Sequence, residues 1–167
     1  MSSRRSLRRE KGASPKAWEG RPDASRLRFG IVCARWNPTV TDAMLRSALD
    51  ALRRHGAPSG NVTVVRVPGA FELPAAARAL LASRRCDAIA ILAAIVRGET
   101  SHHEVLAHAV ASAIAGLNGE TGIPIGFGVL TCDTMEQARE RVGKGAEAVE
   151  AALELADLKR LLAGGGT

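Results

Sequence analysis

The sequence predicts an α/β fold in which a four-stranded parallel sheet carries helices on both faces. From residue 27 onwards, apolar segments of strand length alternate with segments whose apolar residues recur at helical spacing. Because each helical segment returns the chain to the same edge, the strands between them must run parallel. Right-handed crossovers then cover both faces of the sheet. The third apolar segment, Ala88–Val96, contains no polar residue, as expected for a strand buried on both faces.

Four segments are predicted to be strands, and each ends where turn or polar residues begin. The second segment, NVTVVRV, is rich in β-branched residues, which favour strands. The predicted strands span residues 27–34, 61–67, 88–96 and 123–130.

Helices are predicted to follow each strand. Thr39 or Thr41 is expected to cap the first helix, and Gly56 ends it. The second helix extends to about residue 85 and the third covers about residues 101–117, with a loop at residues 118–122. Thr134 and Gln137 have the spacing of a capping box at the start of a short helix. A last amphipathic helix covers about residues 145–162.

Basic residues are concentrated near the amino terminus. The first 28 residues carry nine Lys and Arg against three Asp and Glu, so the whole net charge of +6 lies there. We divide the chain into a flexible basic arm (1–26), one α/β domain (27–163) and a flexible tail (164–167). The arm is either a solvated tail, which we favour, or a non-specific contact for nucleic acid or an acidic surface. The domain lacks a basic face with interleaved aromatic residues, so nucleic acid is not the expected partner.

The apolar segments and the cysteines indicate the cellular compartment in which we expect the protein. No apolar run approaches the roughly 18 residues that a membrane-spanning helix needs, and the amino terminus has no apolar signal segment. Cys33, Cys86 and Cys132 have no metal-like spacing. Their odd number fits a reducing cytoplasm better than a disulfide framework. We expect a cytoplasmic protein in which Cys33 and Cys132 are buried thiols.

Polar turns follow all four predicted strands. Trp36-Asn37 follows the first strand, Gly69–Glu72 the second, Arg97–His103 the third and Thr131–Thr134 the fourth. In a parallel sheet these turns share one rim, which is where open α/β sheets bind ligands. The turn Gly98–Ser101 also precedes a helix, whose free N–H groups and dipole suit a phosphate.

Five motifs between residues 28 and 162 carry a resemblance to a known family. They are Trp36-Asn37, PGAFELP (68–74), IVRGETSHHE (95–104), FGVLT (127–131) and EQARER (136–141). In this order and spacing they resemble lumazine synthase. The resemblance implies a flavodoxin-like three-layer sandwich and a transferase that uses no metal or redox cofactor. The implied reaction joins 5-amino-6-(D-ribitylamino)uracil to 3,4-dihydroxy-2-butanone 4-phosphate, with loss of phosphate and two waters, as the penultimate step of riboflavin biosynthesis.

The resemblance also implies roles for individual residues. His102 matches the catalytic histidine, and imidazole suits proton transfer near neutral pH. Arg141 matches an arginine that reaches the substrate phosphate from an adjacent subunit. The residues that match the pyrimidine and ribityl site are Trp36, Asn37, Gly69, Ala70, Phe71, Glu72, Ile95, Val96 and Phe127. The residues that match the phosphate site are Gly98, Glu99, Thr100, Arg141 and Lys144.

Several of these residues keep a second interpretation. Trp36 could be a core residue, although its place between Arg and Asn-Pro favours a turn. Phe71 is equally well explained as the first core residue of a helix. Arg141 could be a solvated helical side chain, although the EQARER match favours the phosphate role. His103 and His108 match no family position, and we expect them at the surface or in an interface.

The implied assembly places active sites between subunits, with Phe127 and Arg141 supplied by a neighbour. We expect a homopentamer, and an icosahedral shell of sixty subunits stays open. Riboflavin synthase is a candidate partner. The segment Val142–Lys144 is shorter than the corresponding family loop, which puts the reach of Lys144 and the size of the assembly in question.

Three other classes stay open beside the enzyme. A catalytically silent shell protein would keep the fold without the reaction, but it would not need His102, Glu72 and Arg141 together. A nucleic-acid-binding module would act through the basic arm. An archaeal-type riboflavin synthase would share the fold and dismutate lumazine.

Overall fold

The computed structural model describes residues 16–164, which form four strands, five α-helices and one 3-10 turn. The strands are β1 (Phe29–Ala34), β2 (Val62–Val67), β3 (Ala88–Val96) and β4 (Ile125–Cys132). The helices are α1 (Pro38–Arg54), α2 (Leu73–Ala82), α3 (His102–Thr121), α4 (Met135–Glu140) and α5 (Lys144–Gly164), and the 3-10 turn is Ser59–Asn61. None of these helices is long and apolar enough to cross a membrane.

The four strands form one parallel sheet in the order β2-β1-β3-β4. α1 and α5 pack on one face, and α2 and α3 pack on the other. This three-layer arrangement confirms the predicted fold class. β3 lies between β1 and β4, and every residue from Ala88 to Ile95 is buried, as its apolar sequence predicts.

The two faces of β3 contribute to different cores. Its even-numbered residues from Ala88 to Ala94 join the core beneath α1 and α5, and its odd-numbered residues from Ile89 to Ile95 join the core beneath α2 and α3. Three residues of the even-numbered set are alanines and the fourth is Leu92, and α5 packs on this face of the sheet. At Gly126 of the neighbouring strand, an added Cβ would lie only 1.7 Å from the carbonyl oxygen of Ala148.

The start of α1 differs from the prediction that Thr39 or Thr41 caps it. Asn37 is the N-cap residue, and Pro38 begins the helix because its fixed φ and missing N–H suit the first helical position. Thr41 therefore lies inside the helix, where its hydroxyl donates to the carbonyl oxygens of Trp36 (3.4 Å) and Asn37 (3.3 Å).

The loop predicted at residues 118–122 is also wrong, because α3 continues to Thr121. A glycine inside a helix costs about 1 kcal/mol, and at Gly119 this cost does not end the helix. The helix stops at Gly122, which has a left-handed φ of 62° and donates its N–H to Asn118 O. By contrast, α2 ends at Ala82, before the predicted residue 85, because Arg84 takes a positive φ of 54°.

Part of the predicted arm lies against the domain. Gly20 contacts the backbone of α5 so closely that an added Cβ would lie 2.0 Å from Glu154 O. The Arg21 N–H donates to Asp157 Oδ2 at 3.0 Å, and the Ala24 N–H donates to His55 O at 2.9 Å. Residues 1–15 of the arm and 165–167 of the tail lie outside the described residues.

Arg28 and Asp87 join the start of β1 to the segment that leads into β3. The guanidinium donates to both carboxylate oxygens, from Nη2 to Oδ1 at 2.6 Å and from Nε to Oδ2 at 3.1 Å. It also donates from Nη1 to the carbonyl oxygen of Arg84 at 2.8 Å, and Arg84 is the residue with the positive φ. The hydrogen bonds from Arg28 hold the pKa of the Asp87 carboxyl below its usual value.

We expect Asp87→Asn to lower the free energy of unfolding at neutral pH and to have little effect in acid. A depressed folded pKa stabilises the protein fully above the unfolded pKa of about 3.9, and this contribution is lost as the pH falls through the folded pKa. Urea unfolding at about pH 7 and about pH 2 measures the difference. Asp50→Asn is the control, since Asp50 pairs with Arg53 on the exposed face of α1. An equal loss for Asp87→Asn at both pH values would contradict the expectation.

Candidate active site

A cleft of about 590 Å³ opens at the carboxyl ends of the strands. β1 pairs with β3 only as far as Cys33 and Leu92, whereas β3 pairs with β4 as far as Val96 and Cys132. The edge of the sheet is therefore stepped, and the cleft lies along the step. The residues that line it are Ala34, Trp36, Asn37, Pro68, Gly69, Ala70, Phe71, Glu72, Ala93, Ala94, Ile95, Val96, Gly98, Thr100, His102, His103 and Leu106.

Trp36 stands at the rim of the cleft and is 73% exposed, so it is not a core residue. The backbone N–H of Trp36 donates to the carbonyl oxygen of Pro68 at 3.0 Å. The next residue, Asn37, has a left-handed backbone (φ 59°, ψ 55°), and its side-chain Nδ2 donates to Ala94 O at 2.8 Å. These contacts join the ends of β1, β2 and β3, and they fix the backbone that carries the indole.

The turn after β2 adds an aromatic ring and a carboxylate. Phe71 is 71% exposed, which excludes its interpretation as a core residue. Glu72 is held in place because its Oε2 accepts the N–H of Gly69 at 2.9 Å. Its Oε1 accepts no hydrogen bond from residues 16–164 and can therefore accept one from a ligand hydroxyl.

The turn after β3 presents free backbone donors. The Arg97 N–H donates to Cys132 O at 2.9 Å, but the N–H groups of the next four residues, 98–101, donate to no other atom of the described chain. Gly98 and Thr100 line the cleft, and α3 begins directly after the turn. An anion in this turn would meet unpaired N–H groups and the positive end of the α3 dipole.

The two adjacent histidines of α3 occupy different environments. His102 is exposed, and its ring forms no hydrogen bond with residues 16–164, while its backbone N–H donates to Thr100 Oγ1 at 3.4 Å. His103 is only 8% exposed, so of its two expected positions, the surface or an interface, the surface is wrong. Successive helical residues point about 100° apart, and the second histidine therefore turns inward. Its Nδ1 lies 3.1 Å from Thr100 O.

Four residues assigned to the site do not line the cleft of their own chain. Glu99 lies in the turn but is exposed outside the cleft lining. Phe127 is 46% exposed on β4. The guanidinium of Arg141 donates from Nη1 to Gln137 O at 2.8 Å within its own helical segment. Lys144 pairs with Glu147 in the first turn of α5.

Several lining residues were not among the predicted site residues: Ala34, Pro68, Ala93, Ala94, His103 and Leu106. Most are small or apolar, and no residue type singles them out in the sequence. The alternation of faces along β3 is the signal that would have placed Ala93 beside Ile95. For His103, the signal would have been its position one residue after His102 in a helix.

The cysteines contribute no reactive thiol to this site. All three are free and buried. Burial raises the pKa of the Cys33 thiol to about 11, and burial also raises the pKa of Cys132 at the carboxyl end of β4. Protonated thiols are poor nucleophiles, so the structural role predicted for Cys33 and Cys132 fits their environment.

A protein-family model described as 6,7-dimethyl-8-ribityllumazine synthase matches residues 26–160. The chain belongs to this family. The matched region includes all four strands and every residue that lines the cleft, so the resemblance carried by the five motifs is confirmed. Membership of the lumazine synthase family implies an enzyme with small-molecule substrates that works as an assembly of like subunits.

In this lumazine synthase family member, we expect Asn37→Ala to be less stable than Asn37→Gly. Both variants lose the hydrogen bond to Ala94 O, which contributes about 0.5–1.5 kcal/mol. Only alanine adds a Cβ that opposes the φ of 59°, at a further cost of about 1–2 kcal/mol. Urea unfolding of the two variants measures this difference, and equal midpoints would show that the left-handed backbone at Asn37 is not strained.

Proposed function

We propose that this protein is a 6,7-dimethyl-8-ribityllumazine synthase, which condenses 5-amino-6-(D-ribitylamino)uracil with 3,4-dihydroxy-2-butanone 4-phosphate. The observation that carries the proposal is the composition of the cleft. An exposed indole, a carboxylate held by a backbone N–H, and a turn of free N–H groups next to an exposed histidine all face one volume of about 590 Å³. The family match supports the same reaction.

The pyrimidine and its ribityl chain are assigned to the β1 and β2 side of the cleft. Trp36 offers a flat face for stacking, which contributes about 0.5–1.5 kcal/mol beyond burial. Ile95 and Val96 at the end of β3 lie beside the ring, and Glu72 accepts hydrogen bonds from the ribityl hydroxyls. Asn37, Gly69, Ala70 and Phe71 complete this part of the cleft.

The butanone phosphate is assigned to the turn after β3. The N–H groups of Gly98, Glu99 and Thr100 donate to the phosphate oxygens, and the α3 dipole favours the negative charge. Glu99 takes part through its backbone, which is compatible with a side chain that lies outside the cleft. The reacting carbonyl carbon of the substrate then lies between this turn and the indole.

The reaction needs proton transfers at several steps. The 5-amino group of the pyrimidine attacks the ketone carbon, and loss of water gives an imine. A proton is then removed from the hydroxyl-bearing carbon, and the C–O bond to the phosphate breaks, so that the phosphate leaves with the bonding electron pair and an enol remains. The enol tautomerises to a ketone, and the ribitylamino nitrogen attacks this carbonyl carbon and closes the ring with loss of a second water. His102 is the group that accepts and returns these protons, because its exposed ring is free to turn into the cleft.

The site is completed by a neighbouring subunit. Phe127 and Arg141 are exposed in the single chain and lie outside its cleft. A second copy would bring Phe127 over the pyrimidine and Arg141 to the phosphate, with Lys144 nearby. A cyclic arrangement gives every cleft one such neighbour, and from the family resemblance we propose a homopentamer as the smallest active assembly.

The decisive test is to mix the purified protein with both substrates and follow the fluorescent lumazine product. We expect product well above the uncatalysed rate, and His102→Ala should lower kcat by roughly 10²–10⁴. His55→Ala is the control, because His55 lies at the other end of the sheet in contact with Glu150. No product from folded wild-type protein would refute the proposed reaction, and a small effect of His102→Ala would leave His102 only an orienting role.

Subunit mixing tests whether the site is shared. His102→Ala and Arg141→Ala variants should each be nearly inactive alone. After they are unfolded together at equal concentration and refolded, about one quarter of the sites should combine an intact His102 with an intact Arg141 from a neighbour. Recovered activity near this fraction supports the shared site, whereas no recovery in mixed assemblies of confirmed composition places both residues in one chain.

A further inference from the structure

His103 is a buried polar side chain to which the proposed reaction gives no role. It is the second residue of α3 and is 8% exposed, one of only two buried polar or charged residues within residues 16–164. It lines the cleft together with Thr100 and Leu106. A buried polar group without a hydrogen-bond partner is costly, so the contacts of this imidazole determine what it does.

The imidazole forms one hydrogen bond of good geometry. Its Nδ1 lies 3.1 Å from the carbonyl oxygen of Thr100. A carbonyl oxygen can only accept, so Nδ1 must carry the hydrogen and donate. Its Nε2 lies 3.8 Å from Glu104 Oε1, which is too far for a hydrogen bond. The ring is therefore oriented mainly by the turn that precedes α3.

This bond sets the direction of a backbone donor. The peptide bond between Thr100 and Ser101 is trans, and in a trans peptide the C=O and N–H point in opposite directions. Because the buried ring of His103 holds the Thr100 carbonyl towards the protein interior, the Ser101 N–H must point towards the exposed side of the turn. That N–H donates to no atom of residues 16–164, and it directly follows the three N–H groups that the proposed function assigns to the phosphate.

Few other contacts hold the turn. Its start is fixed by the Arg97 N–H, which donates to Cys132 O at 2.9 Å. At its end, the carbonyl oxygen of Ser101 accepts the N–H groups of Glu104 at 3.0 Å and Val105 at 3.3 Å, which are the first bonds of α3. Between these two ends, the His102 N–H donates to Thr100 Oγ1 over a long 3.4 Å. Gly98 has open space around it, with no atom within 4 Å of an added Cβ, and glycine permits many backbone conformations. Both ends of the Gly98–Ser101 turn are therefore anchored, and within residues 16–164 the bond from His103 is the one that holds the Thr100 carbonyl between them.

We propose that His103 is a positioning residue, whose Nδ1–H holds the Gly98–Ser101 turn in the conformation that binds the phosphate group of the substrate. The proposal rests on the proposed function, which assigns the phosphate to this turn. His103 acts through the Thr100 carbonyl and does not touch the reacting atoms. It thereby differs from the adjacent His102, which transfers protons in the same cleft.

Three substitutions of His103 distinguish the effect of its Nδ1–H donor from the effect of the space that its ring fills. His103→Phe keeps a ring of similar size without a nitrogen. His103→Asn places an amide nitrogen close to the position of Nδ1, where it can donate to Thr100 O. His103→Gln places the nitrogen near the position of Nε2 instead, which lies away from that carbonyl. Melting temperatures confirm that all three variants are folded before they are compared.

We expect His103→Phe to raise the KM for 3,4-dihydroxy-2-butanone 4-phosphate about three- to tenfold, the effect of losing one hydrogen bond. The KM for the pyrimidine should stay unchanged, His103→Asn should restore most of the loss, and His103→Gln should not. The Kd for inorganic phosphate, measured by calorimetry without any turnover, should follow the same order. A His103→Phe variant with wild-type phosphate affinity, or rescue by Gln as complete as by Asn, would overturn the proposal.

The Kd for inorganic phosphate tests the role of His103 independently of the proposed reaction. If the wild-type protein makes no lumazine, the proposed reaction fails, while the Kd series still decides whether His103 positions the turn. If product forms and the Kd for phosphate is the same in all variants, the reaction stands and the role of His103 is refuted.

Discussion

Burial of β3 on both faces is the constraint on which the rest of the structure depends. Each residue from Ala88 to Ile95 is enclosed, so helices must cover the sheet on both sides, and the strand cannot end in solvent without a change in residue type. That change comes at Arg97, where the chain leaves the core. The length of the buried apolar strand therefore determines the position of the polar turn, because the turn begins where the chain reaches the surface.

Hydrogen bonds hold the backbone around the cleft, whereas several side chains that line it have few contacts with the rest of the chain. Hydrogen bonds from Asn37 to Ala94 O and from Glu72 to Gly69 hold the frame across three strand ends. By contrast, Trp36 and Phe71 are each more than two-thirds exposed, and the ring of His102 has no partner in the described chain. Large exposed aromatic rings are costly in water, so substrate and a second subunit would both stabilise this surface by covering it.

The sheet and the turns that line the cleft were predictable because both depend on local sequence. The uninterrupted apolar run fixed β3 at Ala88–Val96, the same limits that the structure shows. The start of α1 was not predictable, since the left-handed Asn37 depends on an acceptor 57 residues away in the chain. The inward position of His103 was missed because neighbouring histidines look alike in sequence and differ only in helical direction. The role proposed for Arg141, in the site of another subunit, leaves no signal in a single chain's geometry.

The stepped edge of the sheet has a consequence for how the chain tolerates insertions and deletions. β3 runs four residues past its last pair with β1, and each residue advances the strand by about 3.3 Å. Removing one residue between Ala93 and Val96 would withdraw the turn by this distance and also reverse the faces of the residues that follow. Length in this segment is therefore as tightly constrained as any side chain of the site. At the opposite end of the strands, before β2, a Cβ added at Gly60 would contact no other atom. We therefore expect this turn to tolerate a change of length without displacing the cleft.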